Sequence, residues 1–354
     1  MKVCIFNGNM SRGGGTERIT QILANALVQE TDYSVYVLSC INESGVSYYP
    51  LDEKVQMHTL PNGSLPSKIL ALRRFLRRDR IDVIINVDVM LGMYSLPAAF
   101  GTKTKVIAWE MFNISNDIGS KHTKTVRKLS LKHCAYYINQ TKGDMDAFLE
   151  AFKVRCPITY IYNPCEANES YTDYDKQSKI IMTAGHFFYT KGYDLAVEVA
   201  RLVFEKHADW KWRFVGDGSQ FEAMQEKVRE YGLTDNVIFA GRTNQIAEEY
   251  KRSALYVMTS RTEGFGLVLT EAKSYNLPTL AFDVDFGPRE IIEHEKGGYL
   301  VQAFDIERMA ECICELIENK EKRFEFSSKA KDNLDTFSKQ NFVDNWKNVL
   351  SGVR

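Results

Sequence analysis

The stretch "RTEGFGLVLTEA", residues 261–272, sets Glu263 ahead of a glycine-flanked aromatic and Glu271 eight positions further on. It follows a strand-like run, "ALYVMTS". Gly264 and Gly266 permit a tight strand-to-helix connection, and a helix beginning near Leu267 aims its unpaired N–H groups beyond the strand end. Free amides at a helix start suit a diphosphate. Glu271, about one turn into that helix, is placed to accept hydrogen bonds from a ribose diol. Glu263, before the turn, is placed to accept them from sugar hydroxyls. The motif alone also fits Glu271 as an exposed helical residue.

Two other segments have the same strand–glycine–helix character. "NGNMSRGGGTER" follows the first strand, and Gly14 and Gly15 let backbone N–H groups approach an anion at a helix start. It matches neither the dinucleotide fingerprint nor the P-loop, and a plain flexible turn fits it as well. "TAGHFFYTKGYD" puts Lys191 where a cation could reach a phosphate, with Gly192 opening a helix; a surface lysine is the alternative. "DVD" at Asp283 to Asp285 imitates a metal-binding motif but ends a strand ahead of Gly287, and no cluster with ligand spacing accompanies it. No catalytic metal is expected. The six histidines are scattered, with no nucleophile–base arrangement among them.

These segments need a scaffold, and the chain supplies a repeating one. Strand-like runs ("KVCIFNG", "SVYVLS", "VQMHTL", "IDVIINV", "KVIAWE", "AYYIN", "ITYIYN") are mostly separated by helical stretches such as "TERITQILANALVQE". Residues 162–179, "YNPCEANESYTDYDKQSK", break the pattern and read as a linker. The alternation then restarts with "KIIMTAG", "WKWRFVG", "NVIFAG", "ALYVMTS", "PTLAFD" and "GGYLV". This predicts an α/β protein of two doubly wound, Rossmann-like domains facing each other across a cleft. The expected boundaries are 1–165 and 166–335, with 336–354 as a final helix that packs back on the first domain.

The 354 residues, 44% of them hydrophobic, suffice for two cores, and a net charge of −1 argues against a nucleic-acid binder. That balance hides a basic first half and an acidic second half, so an anionic partner is expected to meet the first. Two amphipathic stretches concentrate the basic charge. "LPSKILALRRFLRRDR" has Leu65, Ile69, Leu72 and Leu76 on one face with Lys68, Arg73, Arg74, Arg77 and Arg78 elsewhere, and Lys121, Lys124, Lys128 and Lys132 form a stripe on the other. An anionic bilayer or a lipid diphosphate fits both, as does an ordinary solvated helix face. Seven cysteines, mostly in apolar runs, read as reduced core thiols. "MKVCIF" is too short an apolar run for a signal peptide, and no stretch approaches a membrane span. A cytoplasmic protein, peripheral on the inner face of the cell membrane, is expected.

Taken together, the chain resembles the family 4 retaining glycosyltransferases of the GT-B fold, whose E-x7-E motif falls on Glu263 and Glu271. The resemblance runs over essentially the whole chain: "GGTER" matches the N-terminal glycine loop, "YNP" the interdomain linker, "GH…KG.D" the phosphate segment, "FAGRT" a loop beside the base and "FGPREII" a following helix. It implies that Gly14, Gly15, His186, Lys191 and Arg242 approach the donor diphosphate or base. It likewise implies that Glu263 meets the sugar, that Gly264, Phe265, Gly266 and Leu267 present amides to sugar and phosphates, and that Glu271 meets the ribose. Lys191 and Glu263 take the catalytic roles. The sequence departs from the family in having His186 in place of an arginine. A family histidine near the donor sugar is replaced by Met111, which leaves Glu110 and Asn113 as the polar groups on that acceptor or sugar side.

The implied activity is transfer of a hexose or N-acetylhexosamine from a UDP-sugar to a glycan acceptor, lipid-linked through a polyprenyl diphosphate, in surface polysaccharide synthesis. No cofactor or metal is implied. The alternatives are a GDP-mannose-dependent mannosyltransferase and a catalytically silent sugar-nucleotide-binding subunit.

Overall fold

The computed structural model describes residues 1–42, 44–116, 120–165 and 173–353; the middle of the expected linker, 166–172, lies outside them. The chain divides into two compact units, Met1–Asn163 with Gln340–Arg354, and Pro164–Lys339.

The first unit is built on a seven-stranded sheet in the order β3-β2-β1-β4-β5-β6-β7. Its strands are β1 (Lys2–Asn9), β2 (Ser34–Ile41), β3 (Gln56–Thr59), β4 (Val83–Val87), β5 (Lys105–Trp109), β6 (Tyr136–Asn139) and β7 (Ile158–Tyr160). The second unit has a six-stranded sheet in the order β10-β9-β8-β11-β12-β13. Here the strands are β8 (Ile180–Ala184), β9 (Lys211–Val215), β10 (Val237–Gly241), β11 (Leu255–Met258), β12 (Thr279–Asp283) and β13 (Gly298–Gln302). Adjacent strands pair in parallel throughout, from Val3 opposite Val35 to Asp283 opposite Gln302. Parallel strands covered by helices on both faces are buried on both sides. That is why runs such as "VCIF" and "VII" are apolar without alternation, with Val3, Cys4, Ile5 and Phe6 all shielded from water.

Both sheets reverse direction once, between β1 and β4 in the first and between β8 and β11 in the second. At such a switch the loops leaving the two central strands diverge and open a crevice at the carboxyl ends. Residues directly after β8 and β11 are therefore brought side by side.

The helix Leu65–Arg78 differs from its sequence reading. Leu72, Phe75 and Leu76 face the core, Leu65 is exposed, and Lys68 points inward, its Nζ donating to the Cys40 carbonyl at 2.9 Å. A lysine stem can cover apolar surface when its head finds an acceptor. Arg73 donates to the carbonyls of Ala98 and Phe100, and Arg78 pairs with Asp79. Arg74, Arg77 and Leu70 remain exposed on this helix. The cysteines are free thiols, and burial pushes Cys134 up to about 12 and Cys312 up to about 11, far from a reactive thiolate.

The last helix, Lys339–Gly352, buries Phe342, Val343, Trp346, Val349 and Leu350. Trp346 meets Trp109 of β5 edge-to-face at 4.7 Å, and Lys347 bonds Glu30 at 2.6 Å. Trp346→Ala should therefore cost roughly 3–5 kcal/mol, the usual toll for emptying a buried tryptophan site. Urea denaturation of the full chain measures it; a shift below about 1 kcal/mol would mean that the helix is not part of the core.

Candidate donor-binding site

In the second unit, β8 ends at Ala184 and the chain turns through His186 and Phe187 into a tight turn, Tyr189–Lys191. Phe187 anchors this passage, fully buried and stacked on Tyr193 at 3.8 Å. Gly192 then opens the helix Tyr193–Phe204 at φ 63°. A side chain there would meet the Thr259 carbonyl oxygen at 2.0 Å, so only glycine lets the turn lie against the strand end. Thr259 Oγ1 donates to the Gly192 carbonyl at 2.8 Å, closing the contact.

That contact brings Lys191 to Glu263. Its Nζ donates to both carboxylate oxygens, at 2.7 and 2.9 Å, and Ser260 Oγ donates to Oε1 at 2.6 Å. Glu263 is 7% exposed and the lysine side chain 33%. The two residues assigned separately to sugar and diphosphate are thus one ion pair. Beyond Glu263, Phe265 is buried against Phe337, and Gly266, at φ 100°, leads into the helix Leu267–Ser274, whose start has no side-chain cap. The N–H groups of that first turn retain the partial positive charge of a helix start. Glu271 is half-buried and accepts from the Tyr250 hydroxyl at 2.9 Å, with Tyr250 stacked on Tyr275.

The other expected donor residues are placed differently. His186 stands half-exposed beside Asp217, Nδ1 to Oδ1 3.4 Å, with its ring over Phe188. Arg242 follows β10, two strands out from β8, and is exposed. Asp283 accepts from Arg289 Nε at 3.0 Å.

Gly14 and Gly15 begin the helix Gly15–Glu30 of the first unit. A side chain on Gly14 would meet Glu17 Oε2 at 2.4 Å, because Glu17 folds its carboxylate back on the helix start. Glu17 is 1% exposed and bonds Arg12 at 3.2 Å. An internal anion already complements this helix end, which the acid in "GGTER" signals.

The expected sugar-side groups Glu110, Met111 and Asn113 are all buried in the first unit. Glu110 accepts from Arg127 Nε at 2.9 Å and from the Tyr137 hydroxyl at 2.7 Å. Arg127 also donates to the carbonyls of Asn113 and Ile114. Met111 sulfur accepts from Gln140, and Asn113 Oδ1 from the Asn116 N–H. A carboxylate shielded from water must be paired, and Arg127 supplies that partner from a helix the sequence reading treated only as basic surface. Two more acids adjoin the pair. Asp88, at φ 103° after β4, accepts from the Met90 N–H, and burial pushes its carboxyl up to about 6. Asp144 accepts from Ile114 and Asn139, and burial pushes it up to about 7.

Arg261, Asp194, Ser260 and Tyr250 carried no assignment from sequence. Arg261 and Asp194 stand inside the quoted motifs, but nothing in a linear pattern shows that they meet. In the fold they do, through two bonds of 2.7 and 2.6 Å.

Residues 167–333 match the model of the family described as glycosyl transferases group 1. An uncharacterized glycosyltransferase of Haemophilus influenzae is 28% identical over 99% of both chains. The amylovoran biosynthesis glycosyltransferase AmsD of Erwinia amylovora is 27% identical over 99% of both. Among solved structures, a mutant of Staphylococcus aureus TarM in complex with fondaparinux, α-GlcNAc-glycerol and UDP matches at TM-score 0.71 and 26% identity. That match covers 80% of this chain and 58% of that one. A further TarM structure matches at TM-score 0.83 over 98% of both chains, at 17% identity.

The acids around Arg127 generate a pH dependence. Asp88 and Asp144 have folded values raised above their unfolded ones, so the native state holds protons that the unfolded chain releases. Their contribution is full below the unfolded carboxylate range and is lost as pH rises through about 6 to 7. Urea midpoints should fall between pH 5 and pH 8, and Asp88→Asn should flatten the lower part of that slope. Parallel slopes for parent and variant would rule the assignment out.

Proposed function

Because residues 167–333 match the group 1 glycosyl transferases, and the chain has the GT-B fold and full-length relatives in bacterial polysaccharide synthesis, we propose that it is a retaining UDP-sugar transferase. It moves a hexose or N-acetylhexosamine to a glycan carried on a polyprenyl diphosphate. The observation that carries this reading is the Lys191–Glu263 pair at the switch between β8 and β11, with Glu263 three residues ahead of the left-handed Gly266 that opens the uncapped helix start. The UDP bound in the TarM complex supports the choice of base.

The chemistry follows from charge. A diphosphate is anionic when the donor binds and gains further negative charge as the bond to the sugar breaks. An ammonium fixed beside it, and the amides of the Leu267 turn, interact more strongly with the transition state than with the ground state. Only that difference accelerates the reaction. Glu263, held by Lys191 and Ser260, accepts from sugar hydroxyls, and Glu271, held by Tyr250, from the ribose. No step requires a metal.

A calorimetric panel of UDP, GDP and ADP with their sugars tests the donor. UDP is expected to bind, and Glu271→Ala to weaken it by roughly 1–3 kcal/mol. Preference for GDP-mannose would move the assignment to a mannosyltransferase. Lys191→Ala should lower turnover on a lipid-linked acceptor by about 10²–10³-fold, with a smaller change in donor affinity. A parent that binds donor but transfers nothing across a broad acceptor panel would be a silent binding subunit. Turnover is expected to survive EDTA; loss on chelation that manganese restores would overturn the metal-free route.

A lipid-linked acceptor implies an anionic membrane as the place of reaction. No helix among the described residues is long and apolar enough to cross one. The helix Leu65–Arg78 exposes Leu70, Arg74 and Arg77, and Arg73 fixes the turn that carries Phe100, 82% exposed. Lys121, Lys124, Lys128 and Lys132 are exposed as well. Arginines beside outward apolar groups suit lipid phosphates and the chains beneath them. Replacing Arg74 and Arg77 by Gln should reduce sedimentation with anionic vesicles by at most about 1 kcal/mol per charge. Equal binding by parent and variant would leave these residues as solvated surface.

A further inference from the structure

Lys191 is useful to a diphosphate only if its turn is held in place, and the turn has little packing of its own. None of Tyr189, Thr190 and Lys191 is buried, and Tyr189 is 63% exposed. The segment after β11 supplies the restraint instead. Arg261 donates from Nη1 and Nη2 to the two oxygens of Asp194, at 2.7 and 2.6 Å. Nη1 also donates to the Tyr189 carbonyl at 2.9 Å, and the guanidinium lies over the Tyr189 ring at 4.1 Å. The Arg261 backbone N–H donates to the Thr190 carbonyl at 2.8 Å. One residue thus grips the turn before Lys191 and the first turn of the helix after it.

We propose that Arg261 is a positioning residue for the donor site, clamping the Lys191 turn to the segment that carries Glu263. The clamp rests on the proposed function for the role of Lys191, and on geometry alone for the restraint. Arg261 is not itself a diphosphate ligand. Its terminal nitrogens are engaged by Asp194 and Tyr189, and its side chain is only 18% exposed. A planar fork on a carboxylate is a geometry that lysine cannot reproduce. Burial pushes the Asp194 carboxyl up, but the bonds and charge of Arg261 outweigh this and hold it below the ordinary range. The arginine's place two residues before Glu263 gives the clamp its effect: the segment that grips the Lys191 turn also carries the partner of Lys191.

The test uses the full chain with Arg261→Gln, Arg261→Lys and Asp194→Asn, each first checked for an unchanged far-ultraviolet spectrum. Hydrogen exchange of amides 187–193 is read at a temperature well below melting, UDP binding by calorimetry, and turnover at saturating UDP-sugar. Arg261→Gln should speed exchange in that segment by about tenfold or more, as expected when a local restraint is lost. It should also lower turnover by about 10²-fold, the scale of a reacting group displaced by about an ångström, with UDP affinity changed much less. Arg261→Lys should fall between Gln and parent. Asp194→Asn keeps the grip on Tyr189 and should show the same split, in weaker form, even where Arg261→Gln does not fold. Parental exchange and turnover in both Gln and Asn variants would overturn the proposal. Loss of UDP affinity matching the loss of turnover would overturn it too, by making Arg261 a direct ligand. A parent that neither binds UDP nor turns over would refute the donor reading, while the exchange data would still decide whether Arg261 holds the turn.

Discussion

Glu263 is a carboxylate almost wholly removed from water, and two donors from different strand ends hold it: Lys191 after β8 and Ser260 after β11. A buried charge of this kind is costly unless paired and hydrogen-bonded. The pairing therefore constrains everything around it. The turn at Gly192 must lie against Thr259, and the two central strands must be neighbours although β9 and β10 separate them in sequence. Tyr256, buried between these elements, donates to the Ala184 carbonyl and keeps the ends of β8 and β11 in register.

The same solution appears in the first unit with a different outcome. Glu110, Arg127 and Tyr137 form a charged core at the carboxyl ends of β5 and β6, with Asp88 and Asp144 beside it. Three acids adjoin one guanidinium, and burial raises each carboxyl above its ordinary range, Asp88 to about 6 and Asp144 to about 7. In the second unit the carboxylate and its cation stay at the rim, where the lysine keeps a third of its side chain in water. An ion pair with one accessible partner can exchange that partner for a ligand. One sealed inside the fold cannot. One pair thus keeps a member open to water and the other does not, although both lie beside the ends of parallel strands.

Specificity of shape comes from backbone more than from side chains. The left-handed residue at Gly266 turns the chain so that the helix Leu267–Ser274 begins where Glu263 ends, and Lys273 locks that helix from below. Its buried amine donates to the Ile291 carbonyl and to Asn333, and burial lowers its pKa to about 8. Glu271, two residues earlier, thereby projects from a helix fixed at both its start and its underside.

The alternation of apolar runs and helical stretches was enough to place the thirteen strands of the described residues and to mark Gly192, Gly266 and Leu267 as turn and helix starts. These features depend on local chemistry: which residues suit a doubly buried strand, and where only glycine fits the backbone. The partners were decided by tertiary structure. Lys191 and Glu263 are 72 residues apart, and Arg261 and Asp194 are 67 apart. Whether they meet depends on the order of strands in the sheet, which no local pattern records. The sequence shows Glu110 only by its position after a strand, and the fold buries it against Arg127, which arrives from the following helix 17 residues on. Lys68 read as a surface cation and turned inward once the Cys40 carbonyl stood within reach. Periodicity encodes the face a residue presents; the partner that makes burial of a charge tolerable exists only when the chain has folded.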